Sequence, residues 1–256
     1  MVGRNTRYAN AEDASLDKLL LHLRAGWGTH WEVIVIIVHH LENSRSQRVL
    51  WLLEELALEY EIKRYARNPK TMLAPPELKE VHPLGKSPVI SDGDNVVAES
   101  GAIIEYLVEH HGNGSLAPAR GTPERLRYTY YLHYAEGSAM PPLLLMLVFN
   151  RLPVMAPTLI RPLVRGVANT VKGHFIEPQI ALHLGYLESE LELRDWFAGD
   201  AFSAADIQMS FPLEAAAARG GLNERYPRLS AFLERAHARP AYQRALEKGG
   251  PYQLMS

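Results

Sequence analysis

Cysteine is absent from this chain of 256 residues. Without a thiol, the chain forms no disulfide, offers no thiolate to a metal and has no cysteine nucleophile. Any sulfur chemistry must therefore use a sulfur that a ligand brings. An excess of one charge is also absent, because 27 basic side chains stand against 29 acidic ones. Since binding to a phosphate backbone needs a concentrated positive surface, we expect no nucleic-acid partner.

The sequence also lacks the features of a targeting or membrane-spanning segment. Its start has no basic region followed by a long apolar run and a cleavage site, and Glu12, Asp13 and Asp17 argue against a transit peptide. The longest apolar stretch, residues 141–167, is interrupted by Pro153, Pro157 and Pro162 and contains three arginines, which a spanning helix tolerates poorly. These observations predict a cytoplasmic protein with no membrane partner.

The length is sufficient for two compact domains. Residues 1–31 are predicted to be an N-terminal extension with one short amphipathic helix in the segment SLDKLLLHLRAG. Residues 32–112 are predicted to form the first domain, and the Gly- and Pro-containing residues 113–121 the linker. Residues 122–256 show helical patterns throughout, including a capping-box signal in FSAADI, and predict an all-helical second domain.

The first domain is predicted to have the order βαβαββα. The β-branched run VIVIIV, residues 33–38, predicts a strand buried on both faces, with His39 and His40 in the loop after it. The segment SQRVLWLLEELALEY predicts a helix, and residues 60–65 predict a second strand. A short helix near residues 76–81, a β-hairpin and the helix GAIIEYLVEHH complete the domain.

The most informative segment is LGKSPVISDGDNVVAES, residues 84–100. Pro88 stands at the start of a short strand, and a cis bond before it would turn the backbone N–H and C=O of Val89 towards solvent. Glu99 and Ser100 begin a helix, whose free N–H groups and positive dipole end suit a carboxylate. We therefore expect this segment to bind a small peptide.

Four motifs occur in the order typical of one family: ENSRSQRVLWLLEE, HPLGKSPVI, the Glu-Ser pair and FSAADI. Across residues 32–250 the chain resembles the cytosolic glutathione transferases, and HHLENSRSQRVLWLLEEL resembles their bacterial and fungal serine-type members. The resemblance implies a thioredoxin-like N-terminal domain followed by a helical bundle. It also implies a detoxifying homodimer that uses glutathione as cosubstrate and acts on a small hydrophobic electrophile.

The same resemblance assigns the glutathione contacts. It makes Pro88 the cis proline, with Ser87 before it, and pairs Val89 with the cysteinyl backbone of glutathione. Lys86 would meet the glycine carboxylate. The γ-glutamyl amine and carboxylate would be held by Glu99 and Ser100.

The chemistry predicted for the first loop is stabilisation of a ligand thiolate. The hydroxyl of Ser44 and the N-terminus of the following helix both favour the charged sulfur. Asn43 and Arg45 are further candidates, because they occupy the positions at which related classes keep a catalytic hydroxyl or a cysteine. The alternative is that Ser44 only caps the helix. His39 and His40 have no third ligand at a suitable spacing, so we expect no metal.

The electrophile is expected between the domains, with Tyr130, Tyr134 and Ser138 as candidate wall residues. Aromatic residues at helical spacing more often belong to the core, which is the alternative for these positions. The predicted reaction is attack of the glutathione thiolate on the electrophile, or reduction of a hydroperoxide. Two alternatives stay open: a non-catalytic interaction module of the same fold, and a specialised dehalogenase, isomerase or ether-cleaving enzyme.

Overall fold

The computed structural model describes residues 35–219 and 221–254, and the helix predicted within residues 1–31 lies outside them. The sheet-containing part comprises β1 (Ile36–Leu41), α1 (Ser46–Glu55), β2 (Tyr60–Tyr65), α2 (Leu78–Val81), β3 (Val89–Asp92), β4 (Asn95–Ala98) and α3 (Ser100–His110). The helical part comprises α4 (Pro123–Tyr134), α5 (Met140–Met155), α6 (Arg161–Val171), α7 (Glu177–Glu190), α8 (Ala204–Ala218), α9 (Pro227–His237) and α10 (Pro240–Gly249). Short π-helical turns, Ala135–Ala139 and Lys172–Ile176, join α4 to α5 and α6 to α7. The predicted fold class, βαβαββα followed by helices, is confirmed.

The four strands form one sheet in the order β2-β1-β3-β4. β1 runs parallel to β2 and antiparallel to β3, which in turn pairs antiparallel with β4. The β3–β4 hairpin turns at the predicted DGDN segment, where Gly93 takes a φ of 56° that favours glycine.

The first strand lies farther along the chain than its apolar run indicates. The predicted strand covered residues 33–38 and left His39 and His40 in a loop, whereas β1 continues to Leu41. Both histidines are buried. They belong to the sheet, where His39 lies opposite Lys63 and His40 opposite Arg64 of β2. Partners on neighbouring strands satisfy the ring of His39, which explains why two polar residues extend the strand instead of ending it.

The first helix is shorter than predicted. It ends at Glu55 because Ala57 adopts a left-handed conformation with a φ of 52°. The N–H of Leu58 then donates to the carbonyl of Leu53 at 3.1 Å, a hydrogen bond typical of helix termination. Almost every α1 residue is buried, because α8 and α10 cover the faces that the sheet leaves open.

The longest helix of the described chain runs from Pro123 to Met155 through the first π-helical turn. Thr122 caps it as an acceptor from the N–H of Arg125 at 3.2 Å, and Pro123 occupies the first turn, where no N–H is needed. The capping box predicted at Ser203 and Asp206 is present at the start of α8. Buried apolar side chains of the sheet part and of the helices form one continuous core.

Candidate functional site

The strand register brings the predicted site residues to one end of the sheet. Val89 lies opposite His39 on one side and Ala98 on the other. The loop after β1, the turn before β3 and the residues after β4 therefore meet at this end. Ser44 confirms the arrangement, because its Oγ lies 3.5 Å from the Oγ of Ser87.

Ser44 stands two residues before α1 and is largely buried. Its Oγ accepts a hydrogen bond from the N–H of Ser46 at 3.2 Å and lies 2.8 Å from the Oγ of Ser46. Ser44 therefore makes the capping bond of the alternative interpretation. That bond uses the oxygen as an acceptor and leaves the hydroxyl proton available to another group.

A buried histidine continues this hydroxyl chain. The Oγ of Ser46 lies 2.9 Å from Nδ1 of His40. Burial, and then the charge of Arg64, lower the pKa of His40 to about 4, although a hydrogen bond to the backbone of Gly249 acts in the opposite direction. At neutral pH the ring is therefore uncharged, with one nitrogen donating and the other accepting.

Asn43 and Arg45, the other catalytic candidates, use their polar groups elsewhere. The Oδ1 of Asn43 accepts from the backbone N–H of Gln253 at 2.7 Å, which holds the chain beyond α10. The Nε of Arg45 donates to Oε1 of Glu136 at 2.8 Å, and its guanidinium lies over the Phe211 ring. Of the three candidates, Ser44 alone places a hydroxyl beside the turn that contains Pro88.

The Ser87–Pro88 bond is cis, as the sequence predicts. Val89, however, is fully buried with a strand on each side, so its backbone is not at a free edge. Ser87 precedes the strand, and within the described residues its backbone N–H and C=O make no hydrogen bond. The role predicted for the Val89 backbone therefore moves to Ser87, whose side chain is fixed by donating to the carbonyl of His39 at 3.0 Å.

Glu99, Ser100 and Lys86 differ in how firmly the fold holds them. Glu99 has a φ of 73°, a conformation that costs free energy in a residue with a side chain, and its carboxylate makes no capping bond to α3. The buried Oγ of Ser100 accepts a long hydrogen bond of 3.4 Å from Nε2 of Gln208. Lys86 is exposed and makes no ion pair within the described chain. Glu99 and Lys86 are therefore free to meet charged ligand groups.

The candidate pocket residues differ in burial and in partners. The hydroxyl of Tyr134 lies 2.6 Å from Nδ1 of His183 inside the helical part, and Tyr130 stacks on the Tyr134 ring at 5.3 Å. Tyr134 and Ser138 each stand two residues from Glu136, so both point away from the side on which Glu136 contacts Arg45. Tyr134 is buried, whereas Ser138 is half-buried in the π-helical turn that contains Glu136 and stays a candidate.

Glu136 and Arg48 were not singled out from the sequence. Arg48 is almost fully buried, and its guanidinium donates to Glu136 and to the carbonyl oxygen of Gln208 at 2.6 Å. Burial alone would raise the pKa of Glu136, but the charges of Arg48 and Arg45 outweigh it and hold the pKa below its usual value. The sequence did contain one signal that could have identified this ion pair: Arg48 is a charged residue in the first turn of an apolar helix.

In the part of the chain that the structure describes, no three His, Asp or Glu side chains are grouped so that they could hold a metal ion.

Two family descriptions match the chain. Residues 44–110 match "Glutathione S-transferase, N-terminal domain", and residues 176–240 match "Glutathione S-transferase, C-terminal domain". Glutathione S-transferase 3 of Schizosaccharomyces pombe is 37% identical over 215 residues, which cover 84% of this chain and 88% of that protein. Glutathione S-transferase 1 of Saccharomyces cerevisiae is 34% identical over 223 residues, covering 84% and 95%.

Solved structures show the same similarity. A glutathione S-transferase from Actinobacillus pleuropneumoniae superposes with a TM-score of 0.71 and 35% identity, covering 84% of this chain and 93% of that one. A sphingomonad glutathione S-transferase, solved in complex with glutathione, superposes with a TM-score of 0.64 and 25% identity, covering 84% and 98%.

Proposed function

The chain belongs to the cytosolic glutathione S-transferase family and is a glutathione transferase, and from this premise we propose that the sheet end around Ser44 binds glutathione and ionises its thiol. The observation that carries the proposal is the meeting of the Ser44 hydroxyl, the N-terminus of α1 and the turn at Ser87 and Pro88. The curated relatives are named as transferases, which favours an enzyme over a non-catalytic module of the same fold.

Each part of glutathione has a complementary group at this end of the sheet. The backbone of Ser87 pairs with the cysteinyl backbone, since its N–H and C=O have no partner among the described residues. Glu99 holds the γ-glutamyl amine, while the hydroxyl of Ser100 and the N-terminus of α3 hold the α-carboxylate. Lys86 meets the glycine carboxylate.

The hydrogen-bond chain determines where the Ser44 proton lies before glutathione binds. His40 is neutral, and in the tautomer that carries its proton on Nε2 its Nδ1 accepts from the hydroxyl of Ser46. In that tautomer the 2.8 Å contact between Ser44 and Ser46 uses the proton of Ser44. Ionisation of the thiol releases its proton to solvent, and the Ser44 hydroxyl turns from Ser46 to the sulfur. The N–H of Ser46 continues to donate to the Ser44 oxygen and strengthens it as a donor.

The thiolate then attacks an electrophilic centre of a small hydrophobic molecule. A sulfur–carbon bond forms as the leaving group departs, and reduction of a hydroperoxide is the other reaction open to the same thiolate. The electrophile approaches along the π-helical turn, because the Arg45–Glu136 hydrogen bond holds this turn beside the first loop. Ser138 is half-buried there, and a side chain at the neighbouring Gly137 would meet open space. A cytoplasmic location, a homodimer and a role in detoxification are part of the same proposal.

Calorimetric titration with reduced glutathione in buffers of different ionisation enthalpy tests the role of Ser44. We expect wild-type protein to release a proton on binding at neutral pH, and Ser44→Ala to bind glutathione with that release lost. Ser230→Ala, which removes a hydroxyl that donates to the carbonyl of Tyr226 at the start of α9, is the matched control and should behave as wild type. Unchanged proton release in Ser44→Ala would contradict the role of Ser44, and no binding to wild-type protein would contradict the site.

A further inference from the structure

The hairpin formed by α5 and α6 exposes an unusual amount of apolar surface. On α5, large apolar side chains at intervals of three or four residues form one exposed stripe: Leu144, Val148, Leu152 and Met155. The most exposed residue of the stripe is Met155, which is 80% exposed at the tip of the hairpin. The opposite side of α5, which includes Leu143 and Met146, packs into the core and fixes the helix to the protein.

A second stripe follows on the other arm. Leu159, Leu163 and Val167 are four residues apart, and their exposed fractions are 93%, 71% and 55%. Eleven of the nineteen large apolar side chains that are exposed in the described chain lie between Leu144 and Phe175. Single exposed leucines are ordinary, but a concentration of this kind marks an interaction surface.

The charge of the same region has one sign. Residues 137–176 contain no aspartate or glutamate, although the whole chain has 29 acidic residues. The basic residues of this region alternate with the apolar stripes along both arms: Arg151, Arg161, Arg165 and Lys172. An apolar face bordered by arginine and lysine without acids is complementary to a layer of anionic lipid headgroups over hydrocarbon.

A second copy of the chain fits this surface less well. A symmetric dimer places the same patch of both copies face to face, so the arginines of α6 would approach their own counterparts.

Crossing of the bilayer is also disfavoured. The helix from Pro123 to Met155 is long and apolar enough by length and composition, but its inner side is held in the core and α6 is interrupted by arginines.

We propose that the α5–α6 hairpin docks on the surface of a bilayer that contains anionic phospholipids. The leucines at its tip enter the boundary between headgroups and acyl chains, and Arg161 and Arg165 bind lipid phosphates. The prediction that the chain has no membrane partner rested on prolines and arginines, which exclude a spanning helix but suit one that lies in the interface. The active site would then be close to apolar electrophiles dissolved in the membrane.

The absence of cysteine permits a direct test with one fluorophore. Leu159→Cys, labelled with an environment-sensitive dye, should shift to shorter wavelength when vesicles of phosphatidylcholine with phosphatidylglycerol are added. The matched control is Leu193→Cys, because Leu193 is 71% exposed but lies outside the hairpin; its dye should not shift. Flotation of the unlabelled full-length chain with the same vesicles measures binding without any substitution.

Charge removal tests the lipid phosphates separately. Each basic residue at an anionic surface contributes about fivefold in affinity, so Arg161→Gln with Arg165→Gln should bind the vesicles about 25-fold more weakly. Arg120→Gln with Arg225→Gln removes two charges from exposed residues outside the hairpin and should change binding little. Raised salt should weaken wild-type binding.

Three results would overturn the proposal. One is the absence of flotation and of a dye shift with anionic vesicles. Another is equal weakening by the two double variants, which would mean that overall charge rather than the hairpin binds lipid. The third is a halving of the molar mass by Leu159→Glu in light scattering together with no vesicle binding by wild-type protein, since a second copy would then cover the hairpin.

Discussion

Arg48 of α1 and Glu136 of the first π-helical turn form an ion pair that links the helix after the first loop to the helical part. Their surroundings differ, because the side chain of Arg48 is 2% exposed and that of Glu136 is 30% exposed. Arg45 shares the same carboxylate at 2.8 Å. One carboxylate is therefore shared by two arginines beside the candidate site, which leaves one positive charge there and fixes the position of the π-helical turn.

Replacement of Glu136 by glutamine should destabilise the protein strongly. The buried Arg48 would lose its counter-charge, which costs about 3 kcal/mol at the lower end of the range for broken buried pairs. Thermal and denaturant unfolding measure the change. Glu109→Gln is the control, because its partners Arg120 and Arg125 lie 3.5 and 3.8 Å away and Glu109 itself is half exposed, so the loss should stay below about 1 kcal/mol. Equal losses in both variants would show that the Arg48–Glu136 pair contributes no more to the free energy of unfolding than an exposed ion pair does.

Removal of the Ser46 hydroxyl should act on the bound thiol in the opposite direction to removal of the Ser44 hydroxyl. In Ser46→Ala the Ser44 proton has no competing acceptor at 2.8 Å, so the pKa of bound glutathione should fall, by roughly half to one unit. In Ser44→Ala that pKa should rise. Ultraviolet absorbance of the bound thiolate as a function of pH measures both values. A rise in Ser46→Ala would mean that Ser46 supports the donor instead of competing for its proton.

His40 should make the protein sensitive to acid. Burial, with the nearby charge of Arg64, lowers its pKa from 6.5 to about 4. Between these values the unfolded chain binds a proton that the folded chain does not, so stability should rise with pH, by about 3 kcal/mol across this window. The contribution is complete above pH 6.5 and is lost as the pH falls towards 4.

Substitution of His40 separates this contribution from other acid effects. His40→Gln retains an acceptor for Ser46 and a donor for Gly249 but does not titrate, so its stability should depend less on pH between 4 and 6.5. His133→Gln, which changes an exposed histidine on α4, should keep the wild-type dependence. Denaturant unfolding at several pH values distinguishes them, and identical profiles for all three proteins would contradict the assignment.

Enlargement of Ser138 should affect the electrophile and spare glutathione. Ser138→Phe fills space on the π-helical turn, so KM for the electrophile should change several-fold while KM for glutathione stays constant. Tyr130→Ala should change neither constant, because the Tyr130 ring stacks on Tyr134, whose hydroxyl is bound to His183 inside the helical part. A general electrophile such as chlorodinitrobenzene serves as the assay. A changed KM for the electrophile in Tyr130→Ala, with no change in Ser138→Phe, would mean that the tyrosines and not Ser138 line the electrophile site.

The sequence predicted the features that short segments determine. The cis bond before Pro88, the hairpin turn at Gly93 and the capping box at Ser203 depend on neighbouring residues, and all three are present. His39 was misplaced because its hydrogen-bonding partners, Tyr65 and Ser91, lie on other strands far along the chain.

In the candidate site, the direction of side chains was the feature that the sequence predicted least well. The pattern of the fourth helix placed Tyr134 on it but did not show which face meets the sheet, and the π-helical turn rotates the residues that follow. The pairing of Arg48 with Glu136 joins residues 88 positions apart, for which a single sequence contains no local signal. Val89 was assigned a free backbone because the cis bond before Pro88 was expected to turn it towards solvent, whereas β3 lies inside the sheet and pairs on both sides.

Asp206 should be essential for stability, because its carboxylate accepts three hydrogen bonds at the start of α8. Its Oδ1 accepts from the N–H of Phe197 at 2.8 Å, and its Oδ2 accepts from the N–H and the hydroxyl of Ser203 at 2.8 and 2.9 Å. Asp206→Asn keeps the shape but turns an NH₂ group towards one of these donors, so we expect a loss of about 3 kcal/mol in the free energy of unfolding. Asp200→Asn changes an exposed carboxylate and should stay within about 0.5 kcal/mol of wild type. Because α8 contacts α1, α3 and α4, the loss should appear as one lowered cooperative transition. A separate early transition of the helical part would instead mean that the sheet-containing part folds without α8.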